Sequence, residues 1–323
     1  MYENAHGLPV GQVNAHLGDE LVMRVGIPHK GGTLAFHAFN QEWPVMVSAN
    51  AFWSSKRAAF AFPETTNLSE LDFAMDSAGF TSMLLWKNKG KQRGMAGIFP
   101  WTCSEYVDFA NESNASWWSQ PDLCVEKEIV SSAQEIDFRI NATATFLEGT
   151  LMLLYEWQNE LSRTCSSTVV ANLLKPPVPV IQGWDSAHYE RSLELMQQVW
   201  SRWQPWIAPP ALIGLGSVCR RELNHPTHGL YAILDRLEPL IPTGSRFHCF
   251  GVKGEALTKI RDKHWVASAD SMAWDFSARV KAHRSGISNT MAHRCSEMDQ
   301  WMSAALKRIG TRYDQHLAQP LAA

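Results

Sequence analysis

From about residue 176 onward the chain alternates short apolar runs with amphipathic stretches at intervals of roughly 30 residues, the βαβ rhythm of a parallel sheet. Val178 to Ile181 precedes a helical pattern over 187–203, and Ala211 to Val218 precedes one over 229–240. Arg246 to Val252 precedes a third over 254–263, His264 to Asp270 is the last strand of the series, and a final amphipathic helix is expected over 298–309. Upstream, Pro44 to Ala49, Phe73 to Asp76 and Trp117 to Cys124 read as strands, with helical stretches over 54–60, from Thr81 to Trp86, before Phe109 and over 133–163. These strands predict an α/β fold, a (β/α)8 TIM-type barrel with one strand unplaced. A doubly wound sheet is the alternative, but no GxGxxG follows the first strand. Glu20 to Gly26 and Thr33 to Phe39 alternate around the turn-type His29-Lys30-Gly31-Gly32, which predicts an N-terminal β-hairpin placed to cap the barrel.

Nothing reads as a linker or an internal repeat, so the 323 residues are expected to form one domain. Residues 1–43 would be its N-terminal arm and hairpin, and 280–323 a C-terminal helical extension. The first 18 residues and the last dozen lack periodicity and read as loose.

Side chains at the C-terminal ends of barrel strands converge on one mouth, so acids at strand ends matter. Asp76 ends the run Phe73-Ala74-Met75, and Asp270 ends the run from His264 to Ala269. Either alone could simply cap the next helix. As a pair they could attack and protonate a single bond. Gln182-Gly183 follows Pro179-Val180-Ile181 at another strand end; the amide both donates and accepts, and the glycine would admit a flat ligand to the backbone. Gly214-Leu215-Gly216 would expose backbone polar groups, or serve packing. Asp122 in Trp118-Ser119-Gln120-Pro121-Asp122 could accept from a guanine-like N1–H and exocyclic amine, or be a loop acid after a proline.

Composition narrows the partners. A formal charge of −3 and a pI near 6.5 exclude a wholesale basic coat. Lys87, Lys89, Lys91 and Arg93, or Arg279, Lys281 and Arg284, are most simply solvated faces. The 14 tryptophans supply stacking surface, some for a site and most for core or rim. Six scattered cysteines, no signal peptide and no apolar run of the roughly 18 residues a span requires suggest a reduced, cytoplasmic protein with no membrane partner.

Four segments together resemble the tRNA-guanine transglycosylases. Met75-Asp76-Ser77-Ala78-Gly79-Phe80-Thr81 is similar to their DSGGFQ segment, Val180-Ile181-Gln182-Gly183 to VQG, and Ile213 to Val218 to GGLSVGE. Asp270-Ser271-Met272-Ala273-Trp274 is similar to the archaeal nucleophile segment DSASYA. The short length and the wording Ser271-Met272-Ala273-Trp274 and Trp118-Ser119-Gln120-Pro121-Asp122 most resemble the DpdA branch, paralogues that place 7-deazaguanines in DNA.

The resemblance implies that Asp270 is the nucleophile and Asp76 the general acid/base. It further implies that Asp122, Gln182 and the backbone at Leu215 and Gly216 hold the base, with Ser77 beside Asp76 at the pocket floor and Gly183 next to Gln182. The implied reaction exchanges guanine in DNA for a deazapurine such as 7-cyano-7-deazaguanine (preQ0), through a covalent aspartyl-nucleotide and two inversions. No cofactor is called for. The zinc-binding cysteines of the tRNA enzymes are missing after the nucleophile; His283, His293 and Cys295 offer only three poorly spaced ligands, which disfavours zinc. The glycine pair is also split, as Gly214 and Gly216 around Leu215. The competing functions are the same exchange on tRNA, a non-catalytic nucleic-acid-binding subunit and a barrel glycosidase. A helper protein or a second copy is compatible with each.

Overall fold

The computed structural model describes residues 18, 20–28, 32–204 and 206–310. Of the first 18 residues expected to be loose only Gly18 is described, and the last dozen lie outside the described residues. Eight strands form one parallel sheet: β1 (Val22–Ile27), β2 (Val45–Ser48), β3 (Phe73–Asp76), β4 (Trp117–Trp118), β5 (Val180–Ile181), β6 (Leu212–Leu215), β7 (Arg246–Cys249) and β8 (Val266–Ser271). Their order is β4-β3-β2-β1-β8-β7-β6-β5, with first and last strands side by side. The two outermost strands meet at one further point, a parallel bridge between Ser119 and Val178. There Val178 N–H donates to the Trp118 carbonyl (2.8 Å) and Gln120 N–H to the Val178 carbonyl (3.0 Å). The sheet is thus strongly curled.

Ten helices are described: α1 (Thr33–Asn40), α2 (Gly79–Lys89), α3 (Cys103–Glu112), α4 (Ala133–Leu161), α5 (Ser167–Leu173), α6 (Ser186–Arg202), α7 (Leu230–Leu237), α8 (Leu257–Ile260), α9 (Ala273–Ser285) and α10 (Met291–Ile309). None is long and apolar enough to cross a membrane among the described residues.

The expected N-terminal hairpin is not formed. Glu20 to Gly26 supplies β1, the strand that the sequence left unplaced, paired in parallel with β2 and β8. Thr33 to Phe39 is helical, and buries Leu34, Ala35 and Ala38 on one side. Over seven residues a strand's alternation and a helix's apolar stripe nearly coincide, and burial against the sheet decided for the helix. Ser54 to Phe60, expected to be helical, is instead a small antiparallel ribbon, Trp53–Ser54 against Ala59–Phe60.

Alternation along the strands sends side chains to two cores. Phe73 and Met75 of β3 join the large outer core between sheet and helices. Ala74 faces the other way, into a second cluster with Met46, Trp117, Val178, Leu212 and Ala267, one side chain from each of six strand regions. That inner cluster lies inside the curl, with Phe250 against it. Arg24 of β1 crosses it, 5.5 Å from the Trp117 ring, and its guanidinium ends in an ion pair with Asp72 (2.9 Å). The inner face is filled low down and opens at the C-terminal ends of the strands.

Candidate active site

Asp76 is the last residue of β3, and its inward direction follows from the alternation that buries Phe73 and Met75 outside. Its register partner on β2, Ser48, donates its hydroxyl to Asp76 Oδ1 at 2.7 Å, and Ala78 N–H donates to the same oxygen at 2.7 Å. The second bond requires a sharp turn, and Ala78 takes it in the left-handed region (φ 63°) before α2 begins. Burial, offset in part by those two donors and reinforced by the nearby charge of Asp270, raises the Asp76 carboxyl to about 6.

Asp270 lies one residue from the end of β8, 9% exposed. Its Oδ1 accepts from Gly251 N–H (2.9 Å) and from His248 Nε2 (3.2 Å), a residue of neighbouring β7. His248 is fully buried, edge-on to Trp117 and Phe250, and its Nδ1 lies 2.7 Å from the Ser268 hydroxyl. Burial lowers the pKa of His248, against the pull of Asp270.

Between the two acids runs a chain of polar side chains. Ser77 Oγ donates to Asp122 Oδ1 (2.5 Å), and Gln182 Nε2 donates to Asp122 Oδ2. Ser217 Oγ donates to Gln182 Oε1 (2.6 Å) and so holds the other end of the amide. Ser217 also accepts from Val125 N–H (2.8 Å) and lies 3.2 Å from Glu126. Burial pushes Asp122 up to about 7, with Asp76 and Glu126 adding to the rise against the bonds from Ser77 and Gln182. Glu126 is raised as well, first by burial.

Asp76, Asp122, Gln182, Gly216 and Asp270 line one cavity of about 420 Å³, together with Glu126, Arg220 and Phe250. That volume is in the range of sites for small heterocycles. Ser77, 1% exposed, lies behind Asp122 and anchors it, its own N–H donating to Ser119 Oγ at 3.0 Å. Gly183 and Leu215 sit elsewhere. A Cβ on Gly183 would come within 2.7 Å of the Tyr189 ring, so this glycine serves helix packing at that point. Leu215 is fully buried in the outer core, and its carbonyl accepts from Phe250 N–H (3.1 Å). Gly216 N–H donates to Ile181 and its carbonyl accepts from Tyr189 Oη (2.6 Å). A Cβ on Gly216 would lie 2.2 Å from Gln182 Nε2, so the glycine makes room for the amide.

Sequence reasoning missed Ser48, Glu126, Ser217, Arg221 and His248. Only His248 carried a signal, an imidazole within the apolar strand Arg246–Cys249. Arg221 donates to the carbonyls of Gly183 (2.9 Å), Ser217 (2.6 Å) and His228 (2.8 Å) and to that of Trp184. Among the described residues no three His, Cys, Asp or Glu side chains are grouped to hold a metal ion. Of the sequence candidates, His293 donates from Nε2 to the Ala278 carbonyl at 3.0 Å.

Segments far apart in the chain thus meet at the mouth of a curled parallel sheet, the site of an α/β protein built at the C-terminal ends of its strands. The model of the DpdA family, DeoxyPurine in DNA protein A, matches residues 158–319, half of the chain, and the chain belongs to that family. The matched span contains Gln182, Gly216 and Asp270, whereas Asp76 and Asp122 precede it. No curated protein matches the chain.

Proposed function

We propose that the protein is a DNA guanine transglycosylase that exchanges guanine for a 7-deazaguanine base such as preQ0, through a covalent aspartyl-nucleotide. The observation that carries this reading is the shared cavity: two carboxylates from β3 and β8 face it, with the Asp122–Gln182 pair between them. Family membership supports DNA as the polymer, and the deazapurine is part of the proposal. The reading also takes the curled sheet as a closed (β/α)8 barrel, supported by the Ser119–Val178 bridge and the filled inner face, and treats the chain as one domain.

In this mechanism Asp270 attacks C1′ of the target nucleotide while Asp76 protonates the departing guanine. The pKa of Asp76, about 6, suits a group that must give a proton and then take one from the incoming base near neutral pH. Asp122 accepts from N1–H and the exocyclic amine of either base, and Gln182, itself held by Ser217, keeps the carboxylate in place. Two successive inversions retain the anomeric configuration. A cavity at a barrel mouth receives only a nucleotide that has left its stack, so the substrate is single-stranded or flipped out of a duplex.

The test is base exchange by the purified protein with labelled preQ0, offered guanine-containing DNA and unmodified tRNA side by side. Label should enter DNA, and Asp270→Ala should abolish both the label and a denaturant-stable protein–DNA adduct. Label in tRNA alone, or in neither polymer, would overturn the proposal.

A further inference from the structure

The two oxygens of Asp270 are not equivalent. Oδ1 is held by Gly251 N–H at 2.9 Å and by His248 at 3.2 Å, and among the described residues Oδ2 has no hydrogen-bond partner. A carboxylate oxygen only accepts when ionised, so the His248 contact requires a proton on Nε2. The neutral ring then has a bare Nδ1, and the Ser268 hydroxyl 2.7 Å away is placed to donate to it. Ser268 and His248 are register partners on adjacent strands, so the backbone itself sets this spacing. Trp117 and Phe250 clamp the ring edge-on, at centroid distances of 4.8 and 4.6 Å. The charged groups that His248 senses are Asp270 on β8 and Arg24 on β1; the carboxylate favours its cation and the guanidinium opposes it, as burial does.

Resting on the transglycosylase reading above, we infer that Ser268 and His248 form a positioning relay that fixes His248 in the Nε2–H form, pins Asp270 Oδ1 and leaves Oδ2 as the attacking oxygen. In the first step the Oδ2–C1′ bond forms as the bond from C1′ to the guanine nitrogen breaks. The electron pair of that bond leaves with the base, which takes its proton from Asp76. Oδ1 becomes the carbonyl oxygen of the aspartyl ester, still facing Gly251 N–H and His248 Nε2–H. In the second step the incoming base gives its proton to Asp76, its nitrogen takes C1′, and the pair of the Oδ2–C1′ bond returns to the carboxylate. Negative charge then rebuilds on Oδ1 in front of two donors already in place. Preorganised donors of this kind act where charge develops and need no rearrangement.

His248 never touches the nucleotide, so its loss should slow turnover without weakening binding. His248→Phe keeps the ring and removes the donor; kcat should fall about 100-fold, the usual effect of deleting one such donor, with KM for the free base unchanged. His248→Gln carries an N–H at the reach of Nε2 and should restore kcat to within about tenfold of the parent, a partial rescue that packing alone does not produce. Unchanged kcat in His248→Phe, or equal losses in the Phe and Gln variants, would refute the relay. If His248→Phe does not fold, the tautomer itself decides. In histidine-selectively 15N-labelled full-length protein, the resonance lost in His248→Gln should show Nε2 protonated and Nδ1 bare from pH 6 to 8. A protonated Nδ1 in that range refutes the relay as well. This readout needs no activity, so a parent protein that exchanges no base would sink the proposed function and leave the tautomer to judge the relay.

Discussion

Asp122 faces two demands that pull its proton in opposite directions. In the free protein its burial in the cavity wall raises it to about 7, although Ser77 and Gln182 both donate to it. A guanine-like edge would bring two more donors, N1–H and the exocyclic amine, and these favour the ionised form. Base binding therefore expels a proton whenever the pH is below about 7. Affinity for guanine or preQ0, measured by calorimetry from pH 8 to 5.5, should be level above neutrality. Below it, affinity should fall by up to about tenfold per pH unit. Asp122→Asn should bind weakly and flatten the profile; a parent profile that is already flat would remove Asp122 from the base edge. Gly79 belongs to the same residue-scale design, since a Cβ there would come within 2.6 Å of the Asp122 carbonyl and 3.0 Å of its carboxylate.

The loops that carry the polar chain are tied down by two buried arginines. Arg139 of α4 donates to the carbonyls of Cys124 (2.7 Å) and Ile129 (2.8 Å), and so fixes the segment just after Asp122. Arg221 gathers four carbonyls from the loops after β5 and β6 and stacks 4.5 Å from the Trp184 ring. A planar guanidinium can serve carbonyls on several sides at once, whereas an ammonium has three donors and no stacking face. Arg221→Lys should orphan at least one buried carbonyl and lose the stack, costing about 3 kcal/mol in urea unfolding. It should also lower base affinity, because Gln182 and Ser217 ride on those loops. A stability loss with affinity intact would show that Gln182 is held without Arg221. None of this was legible in the sequence, because an arginine's carbonyl partners depend on how two loops fold back, which no periodicity records. What was legible followed from local rules: Asp76 and Asp270 end apolar runs, and a strand end in a parallel sheet points to the mouth. Leu215 and Gly183 were assigned to the pocket from their segments alone. Whether a side chain beside a strand end faces the cavity or the helices turns on one step of alternation; that step sends the Leu215 side chain to the outer core, and the sequence assigns Leu215 for its backbone alone.

Over the whole molecule, the acids gathered at the mouth make the site a source of instability. Asp76 and Asp122 have folded pKa values of about 6 and about 7, against 3.8 as the ordinary value. Between pH 4 and 7 the folded protein keeps protons that the unfolded chain has released, so stability contributed by these groups is present at acid pH and lost as the pH rises through 6 and 7. At pH 8 both must be ionised in a partly dry cavity, beside Asp270 and Glu126, at a cost on the order of 4 kcal/mol for Asp122. Asp122→Asn removes that cost. The neutral amide can still accept from Ser77, and Gln182 can turn over because the Ser217 hydroxyl either donates or accepts. The variant should therefore melt about 5 °C above the parent at pH 8, converge with it near pH 4 and lose base exchange. The opposite order at pH 8 would mean that Asp122 is comfortably ionised in the empty site, and would cancel the pH-dependent base affinity along with it. If the order holds, a bound base offsets this cost. Free guanine or preQ0 should then raise the melting temperature of the parent more at pH 8 than at pH 5.5, and should leave that of Asp122→Asn nearly still.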